Sequence, residues 1–517
     1  MKLHPSLFPA ALGLALTLLG NAARAQDDQK HDTPHDHPAP KVDPAAQIVP
    51  YDKDLFSADP RYDRTWDAAE QEQIYGGKSP VKTARPLLEW GRDLYREGPL
   101  QKGRSFLFGD ANELFPQFML YGDWRTAVGF ADVGSTQFGQ AATRLNFDLD
   151  LKLTATERIH AFIQPLEKNG DITRIEFGEI RDGDDDTDLN LDGNLDALFF
   201  EGDLGALLRG SDGTVSNFDM PFAVGLMPLL FQNGVWLEDA FTGVAFTLPA
   251  KNSKALNISN YDVTFFAGLD RVDTGAVAGV GGDDNDATII GFNSFLEWMT
   301  GYWEIGYGYT FGEAGVGDQD VNYHNLTAAF SRRYGACLSN TVRAIFNVGQ
   351  DSDVDTADGV LLLVENSLIT KSPYTVVPYF NLFAGFGHPQ SLARNAGAGG
   401  VLKNTGINFE GDALTAFPSL NATGNDSFGA AIGLDLIPGL GSADPAGRSQ
   451  LVLELAGLHA TDDDPNDAAP DGDEFAIGAR WQKPLNNFLI LRSDATIGLR
   501  EEEDEYAAVR FELRWKF

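Results

Sequence analysis

Long hydrophobic runs are what this chain most plainly lacks. A helix that crosses a bilayer needs roughly 20 consecutive apolar residues, and the nearest approach in the body of the chain, Pro221 to Trp236, is broken by Pro228, Gln232 and Asn233. If the protein sits in a membrane, a closed β-barrel is the remaining way to pair every backbone polar group. Cysteine is almost absent: Cys337 is the only one, so no intramolecular disulfide framework exists, and it is read as a lone buried thiol near a turn. Basic residues are scarce as well. With 39 Lys and Arg against 75 Asp and Glu, the formal charge is −36, which argues against a nucleic-acid partner. Catalytic and redox signatures are missing too. No Gly-x-Ser-x-Gly elbow, His-Glu-x-x-His helix or Cys-x-x-Cys-His motif occurs, and His160, His324, His388 and His459 are scattered along the chain.

What is present begins with the two ends. Residues 1–25 open on Lys2, continue through an apolar stretch from Leu7 to Gly20, and close on Ala23-Arg24-Ala25. That order is a secretory signal peptide, too short in its apolar part to be a membrane anchor. At the other end, Val509, Phe511, Leu513, Trp515 and Phe517 alternate with Arg510, Glu512, Arg514 and Lys516. A strand that is apolar on one face, charged on the other and terminal suits the closing strand of a transmembrane barrel, with lipid on one side and a polar lumen on the other. The 55 glycines and 57 aromatics (35 Phe, 14 Tyr, 8 Trp) fit many strands, tight turns and interfacial girdles.

Between the leader and the first strand, residues 26–109 form a separate N-terminal segment. Up to Pro50 it is rich in His, Asp, Pro and Ala and has no periodicity, as in a disordered tether. His31, His35 and His37 within it are open to two readings, a metal-catching cluster or a solvated linker. From Asp67 to Gln73 and from Pro86 to Glu97 the pattern turns helical, with Leu87, Leu88, Gly91, Leu94 and Tyr95 on one face of the second stretch. Such a helix serves as a plug in the barrel mouth, a periplasmic partner site or a cap on the rim.

Residues 110–517 carry the barrel. Alternation bounded by turn residues places strands near 118–130, 141–153, 158–167, 196–206, 219–230, 240–248, 259–270, 287–298 and 302–311. A second nine follow near 323–334, 341–349, 359–370, 374–387, 427–437, 449–460, 474–484, 488–500 and 506–517. The expected fold is therefore all-β, a transmembrane antiparallel β-barrel of about 18 strands, preceded by a partly disordered, partly helical periplasmic segment. An even count puts both barrel termini on the periplasmic side. Thr154 to Glu157, Met299 to Gly301, Lys371 to Pro373 and Leu485 to Asn487 then fall at that end. The long stretches 168–195, 271–286, 388–426 and 461–473 fall at the other, and with them most of the acidic charge, including Asp182, Asp184 to Asp186, Asp283, Asp351 and Glu501 to Glu505. Acidic outer loops favour solubility and cross-bridging by divalent cations at a polyanionic leaflet.

Strand phase sorts the remaining charge. In 141–153 the residues Leu145, Phe147, Leu149 and Leu151 face lipid, so Arg144, Asp148, Asp150 and Lys152 face the lumen. The same phase sends Arg158, His160, Arg333, Arg343, Arg480, Arg492, Asp494, Arg510, Glu512 and Arg514 inward. Arg144, Arg158, Arg343, Arg492 and Arg514 are the main candidates for selectivity, because rings of guanidinium favour anions. Acids share that surface, however, so a mildly anion-favouring lumen stands beside one in which the charges pair with one another. The sharpest local motif is Asp188-Leu-Asn190-Leu-Asp192-Gly193-Asn194-Leu-Asp196. Oxygen side chains at alternate positions with glycine at the sixth match the first half of a calcium loop, but Phe199 stands where the bidentate Glu belongs. A weak Ca2+ site in an outer loop and an ordinary Asx-rich loop are both compatible with it; no other cofactor is implied.

The strand pair RLNFDLDLKL and ERIHAFIQPL, the acidic loop after it, and then LDALFFEGDL and PFAVGLMPLLFQNGVWLEDAFTGVAFTL resemble in order the alginate-export family of eighteen-stranded outer-membrane porins. The resemblance implies a channel for anionic solutes, carbohydrate polymer among them, with an arginine-lined pore. The sequence departs from the family at Gly225-Leu226-Met227-Pro228, which holds no arginine, and in the extension 26–109. Resemblance to outer-membrane barrels in general makes Phe517 the assembly signal and the barrel assembly machinery a partner, beside the lipid itself. The function expected is passive passage of polar or anionic solutes through a channel in the Gram-negative outer membrane, without enzymatic activity. The alternatives are a barrel scaffold whose residues 26–109 dock a periplasmic partner such as an electron carrier, and an outer-membrane hydrolase with Ser and His on neighbouring strands.

Overall fold

The computed structural model describes residues 86–91, 104–106, 109–134, 136–168, 170–178, 186–212, 218–279, 286–314, 319–350, 357–372, 375–412, 414–439, 445–461 and 470–517. The leader, His31, His35, His37 and the Asp67 to Gln73 stretch lie outside these residues.

Eighteen antiparallel strands close into a barrel. They are β1 (Gln117–Val133), β2 (Thr136–Lys152), β3 (Arg158–Ile163), β4 (Leu195–Asp203), β5 (Pro221–Phe231) and β6 (Leu237–Ser253). Next come β7 (Ile258–Asp270), β8 (Ala287–Trp298), β9 (Gly301–Ala314), β10 (Tyr323–Tyr334), β11 (Leu338–Val348) and β12 (Gly359–Leu368). The circle is completed by β13 (Val376–Gly387), β14 (Ser427–Leu436), β15 (Gln450–Ala460), β16 (Glu474–Pro484), β17 (Leu489–Arg500) and β18 (Tyr506–Lys516). Each expected strand has its counterpart in this series. β18 pairs with β1 from Tyr506↔Val133 to Lys516↔Asp123, so no edge is left open to lipid.

The period-two pattern accounts for the wall. On β18 the outward Phe511, Leu513 and Trp515 are exposed, while the inward Tyr506, Arg510 and Glu512 are buried. Outward Ile432, Ile477 and Ile497 are all more than half exposed, a surface that only a hydrocarbon solvent would cover. Aromatic residues stack across neighbouring strands on the same face, with Phe246–Phe265 at 5.2 Å, Phe265–Phe292 at 6.1 Å and Phe292–Tyr307 at 6.3 Å between centroids. At the seam, Phe517 exchanges both backbone hydrogen bonds with Gly122, and its ring sits 5.9 Å from Phe147 and 5.2 Å from Trp515.

β1 begins and β18 ends at the same end of the barrel, where 153–157, 254–257, 299–300, 335–337 and 485–488 make tight connections. The opposite end carries 164–194, 271–286, 388–426 and 461–473, as the strand phase requires. Four details differ from the sequence reading. The strand expected to run to residue 206 stops at Asp203, whose Oδ1 accepts the Ala206 N–H and starts helix α1 (Leu204–Asp212); an aspartate in front of Leu-Gly-Ala-Leu-Leu is a capping signal stronger than the alternation. The helix expected over Pro86 to Glu97 is extended at Leu88–Trp90, which pairs antiparallel with residues 118–120 of β1. There the unpaired edge of β1 beyond Phe517 competes with the helical pattern, and Gly91 turns the chain at φ 92°. Part of the loop after β3 also returns to the wall, as Asp171–Gly178 pairs with the upper half of β2. Cys337, expected to be buried, is exposed.

Candidate functional site

Two connections of the loop end fold into the barrel and divide its interior. Residues 232–236 turn inward on a short 3-10 helix, carrying Val235 and Trp236, both fully buried. Residues 388–426 run in beside them. Leu392 N–H donates to Trp236 O at 2.7 Å, Asn395 N–H to Glu238 O at 3.0 Å, Ser391 Oγ to Val235 O at 2.8 Å, and Ala393–Arg394 pairs in parallel with Leu237 and Glu238. Lys403 Nζ reaches Glu238 Oε1 at 2.6 Å. The wall is shaped for these insertions: a Cβ on Gly306 would stand 2.7 Å from the Trp236 ring, and one on Gly308 would stand 2.3 Å from Leu392. Met227, Phe241, Phe266, Ile289 and Tyr323 pack around Trp236 and Leu392, while Ile345, Leu361, Leu363 and Phe383 pack around Leu402, Phe409 and Leu420. Between β5 and β13 the lumen at this depth is filled.

The rest of the lumen is lined by charge. Residues 406–417 leave the apolar side and lie along the wall formed by β15 to β18 and β1. Glu454 on β15 fixes their start by accepting from the Ile407 and Asn408 backbone N–H groups, each at 2.9 Å. Leu414 ends against Ala127, Ala142 and Ile172, and Thr415 presses on Gly129, whose missing side chain makes the room. Under this segment lies a lattice of guanidiniums and carboxylates. Asp494 accepts from Arg480 Nε at 2.7 Å, Arg492 Nε at 2.8 Å and Arg510 Nη2 at 2.8 Å. Glu512 takes a forked pair from Arg125, Nε and Nη2 both at 2.8 Å. The segment adds Glu410, 2.6 Å from Arg480 and 3.9 Å from Arg492, and Asp412, 3.2 Å from Arg125 and in ion contact with Arg510. Phe417 covers the Arg510 guanidinium at 5.3 Å. Burial opposes ionisation of Asp412, but Arg510, Arg125 and the Leu414 N–H outweigh it and hold the carboxyl below the usual carboxylate range.

Next to this wall, β2 to β4 continue the charged lining: β2 pairs with β1 and sets Arg144 beside Arg125, and the three strands present Arg144, Asp148, Asp150, Lys152, Arg158, His160 and Glu201. Arg144 meets Glu167 at 2.7 Å; Arg158 lies 3.3 Å from Asp150 and 3.8 Å from Glu201; His160 stacks on Phe199 at 4.8 Å and reaches Glu201 at 3.1 Å. Asp150 is buried, but its partners keep solvent contact. Arg158 is 35% and Glu201 41% exposed, against 1% for Arg510. The charged lining is therefore continuous from β16 through the seam to β4, covered by the inserted segment over β16 to β1 and solvent-touching at Arg158 and Glu201.

The inward residues named from phase thus separate into groups. Arg480, Arg492, Asp494, Arg510, Glu512 and Arg514 join one network; Arg514 extends it to Asp123 at 3.3 Å. Arg144 to His160 line the adjoining strands β2 and β3. Arg343 stands apart, buried against Glu365 at 2.9 Å and Gln232 at 3.3 Å, and Arg333 lies exposed at the terminus end of β10. Arg343 and Arg510 face inward yet are shut away from solvent, because the inserted segments cover them. Sequence reasoning missed Arg125, although it follows the phase of β1. It also missed Glu410 and Asp412, which sit in a loop with no periodicity to read. In the Asp188 to Asp196 stretch, Asp188 points to Arg174 at 3.7 Å, Asn190 donates to Ile172 O at 3.2 Å, and Asp192 accepts from both nitrogens of Asn194. Among the described residues no three His, Cys, Asp or Glu side chains converge as metal ligands.

No protein-family profile matches the sequence, and no curated protein does. Solved structures of similar architecture come from Pseudomonas aeruginosa. OccK7 (OpdD) is 12% identical with a TM-score of 0.49, covering 77% of this chain and 98% of its own. OccK5 (OpdH), also 12% identical, has a TM-score of 0.47 over the same shares. OccK2 (OpdF), solved in complex with glucuronate, is 11% identical with a TM-score of 0.48, again covering 77% and 98%. These are eighteen-stranded outer-membrane porins, and not members of the alginate-export family that the sequence resembles in its order of elements. At this identity the likeness is one of fold.

Proposed function

We propose that the chain is an outer-membrane channel through which small polar and anionic solutes pass passively, with both barrel termini on the periplasmic side and the long connections outside. The observation that carries this reading is the combination of a closed barrel, apolar on its outer face, with a lumen whose solvent-touching walls at the constriction are ionic. No energy source is called for, since a fixed charge pattern in a narrow path sorts solutes by itself. Packing of 388–426 between β5 and β13 narrows that path and favours single small solutes over a carbohydrate polymer. The solvent-touching Arg144, Arg158, Arg492 and Arg514 supply the selectivity in this reading. Single-channel recording of the purified mature protein in a planar bilayer tests it. Discrete conductance steps are expected, with a reversal potential in a salt gradient that moves toward cations when Arg144 and Arg492 are replaced by alanine. A barrel that folds, inserts and carries no current would overturn the proposal.

A further inference from the structure

On β10 the outward phase runs through Leu326 and Phe330 and ends, where the termini of the barrel lie, on Arg332 and Tyr334. Arg332 therefore stands on the lipid-facing side of the wall. It is exposed, its guanidinium lies 5.2 Å from the centre of the Tyr334 ring, and among the described residues it makes no ion pair. Large aromatic rings flank it, with Trp298 and Trp303 at 6.1 Å and Trp303 and Phe330 at 4.6 Å between centroids. Across the wall Arg332 pairs with Asn340 and Asn340 with Asn366, a polar row; the next outward row is Phe330, Val342, Val364 and Leu382, wholly apolar. The edge of the hydrocarbon falls between these rows. Charge on the outward side of this rim has one sign from β6 to β13. The connections 254–257, 299–300, 335–337 and 369–375 contain Lys254 and Lys371 and neither Asp nor Glu, and Lys251 lies opposite Tyr261 on the outward face. The carboxylates at this end, Asp262, Glu297, Glu304 and Glu365, fall on the inward phase, and Glu297 also accepts from the Ser259 hydroxyl at 2.9 Å. At the opposite end the connections between the same strands, 271–286, 315–322 and 349–358, carry Asp273, Asp283, Asp286, Asp320, Asp351 and Asp355, with Arg271 as their one cation.

We infer that the rim from β6 to β13 is a docking surface for anionic phospholipids of the inner leaflet, with the Arg332 guanidinium as its principal phosphate contact and Lys251, Lys254 and Lys371 as flanking contacts. The inference rests on the orientation proposed above, in which this end is periplasmic, and adds to it which lipid the barrel gathers. Three features support it. A cation on the lipid-facing side, at the edge of the hydrocarbon and without a protein counter-charge, is stabilised by a headgroup phosphate at the same depth. The forked donors of a guanidinium match phosphate oxygens, and its stem can lie along the apolar wall while the head reaches the interface. The Trp298, Trp303 and Tyr334 rings mark that interface, because indole and phenol groups settle at headgroup level. The acidic connections of the opposite end repel the same lipids, so the preference belongs to one rim.

The test uses the full-length mature protein, titrated in detergent with phosphatidylglycerol or phosphatidylethanolamine of the same acyl chains, and reads the bound lipid by native mass spectrometry. Tighter binding of phosphatidylglycerol is expected. Arg332→Gln should weaken it about fivefold, the effect of one cation near an anionic lipid, and leave phosphatidylethanolamine unchanged; Arg332→Lys, which keeps the charge, should lose less. Arg271→Gln, at the opposite rim, is the charge-matched comparison and is expected to change nothing. Equal affinity for the two lipids, or a loss in Arg271→Gln as large as in Arg332→Gln, overturns the inference. Cys337, exposed in the 335–337 connection and the only thiol, reports which side this rim meets. A maleimide too large to pass the barrel should label it only after the outer membrane is permeabilised. Labelling in intact cells would place the rim outside and remove inner-leaflet phospholipid as its occupant. Neither readout needs current, so a barrel that prefers phosphatidylglycerol but does not conduct sinks the channel alone, and a conducting barrel without the preference sinks this inference alone.

Discussion

Between β5 and β13 the inward side chains include Met227, Phe241, Phe266, Ile289, Ile345 and Leu361, packed on Trp236, Leu392 and Leu402 with almost no solvent contact, with Asn325, Thr327, Arg343 and Asn347 buried among them. Between β16 and β4, going through the seam, the inward side chains are Arg480, Arg492, Asp494, Arg510, Glu512, Arg125, Arg144 and Arg158, held by ion pairs and forked hydrogen bonds. Both halves receive the same loop, residues 388–426, and they hold it by different physics. Apolar packing is non-directional and strong in sum, so it fixes where the loop lies. Ionic contacts are directional, exchangeable with solutes of the same chemistry, and weak on balance once desolvation is counted. A lumen made of one half only would be either blocked or unconstricted. Joining them gives an insert held by apolar packing on one side and by ion pairs on the other.

The most severe way to break the contrast is at the centre of the packed half. Trp236→Ala removes a fully buried indole and its hydrogen bond from Nε1 to Asn325 Oδ1 at 2.8 Å; we expect a loss of about 3–5 kcal/mol, read as a lower midpoint in denaturant unfolding, with larger single-channel conductance as the insert loosens. In the charged half, Asp494→Asn leaves three guanidiniums sharing a neutral amide. A loss of about 3 kcal/mol is expected, and the same unfolding assay reads it. Here the conductance change should be smaller than for Trp236→Ala, because the apolar anchor of the loop is intact. A larger conductance change than Trp236→Ala would mean that the charged half, and not apolar packing, positions the insert.

The smallest effect concerns pH. The Asp412 carboxyl ionises more readily in the folded protein than in the unfolded chain, so its contribution is complete above the ordinary aspartate value of about 3.9 and is lost as pH falls through the lower folded value. The part of the protection of amides in 406–417 that Asp412 supplies should be unchanged from neutral pH to about 4 and should be lost only below it. The packed half should show no such dependence. An inflection near neutral pH would place control of the loop in another group.

Much of this was legible in the residues. Period two in Val509 to Trp515 says that one face meets lipid, whatever the rest of the fold does. Repeated over the chain it yields eighteen strands, their order, and which side chains turn inward. Where local chemistry overrode alternation the reading failed. At Asp203 a cap ended a strand early, and at Leu88–Trp90 the free edge of β1 claimed a segment patterned as a helix. The site was legible only in part, since phase assigns Arg480, Arg492 and Arg510 to the lumen but is silent on what covers them.

The sequence by itself determined the barrel, its closure and the sign of each wall residue, because side-chain direction along a strand is a local property fixed by backbone geometry. Only the tertiary structure decided that half of the lumen is filled, that Arg343 and Arg510 are buried, and that Glu410 and Asp412 lie on the arginine wall. Those facts depend on where residues 388–426 come to rest. An aperiodic loop is placed by contacts with strands far away in the chain, and no local pattern records them.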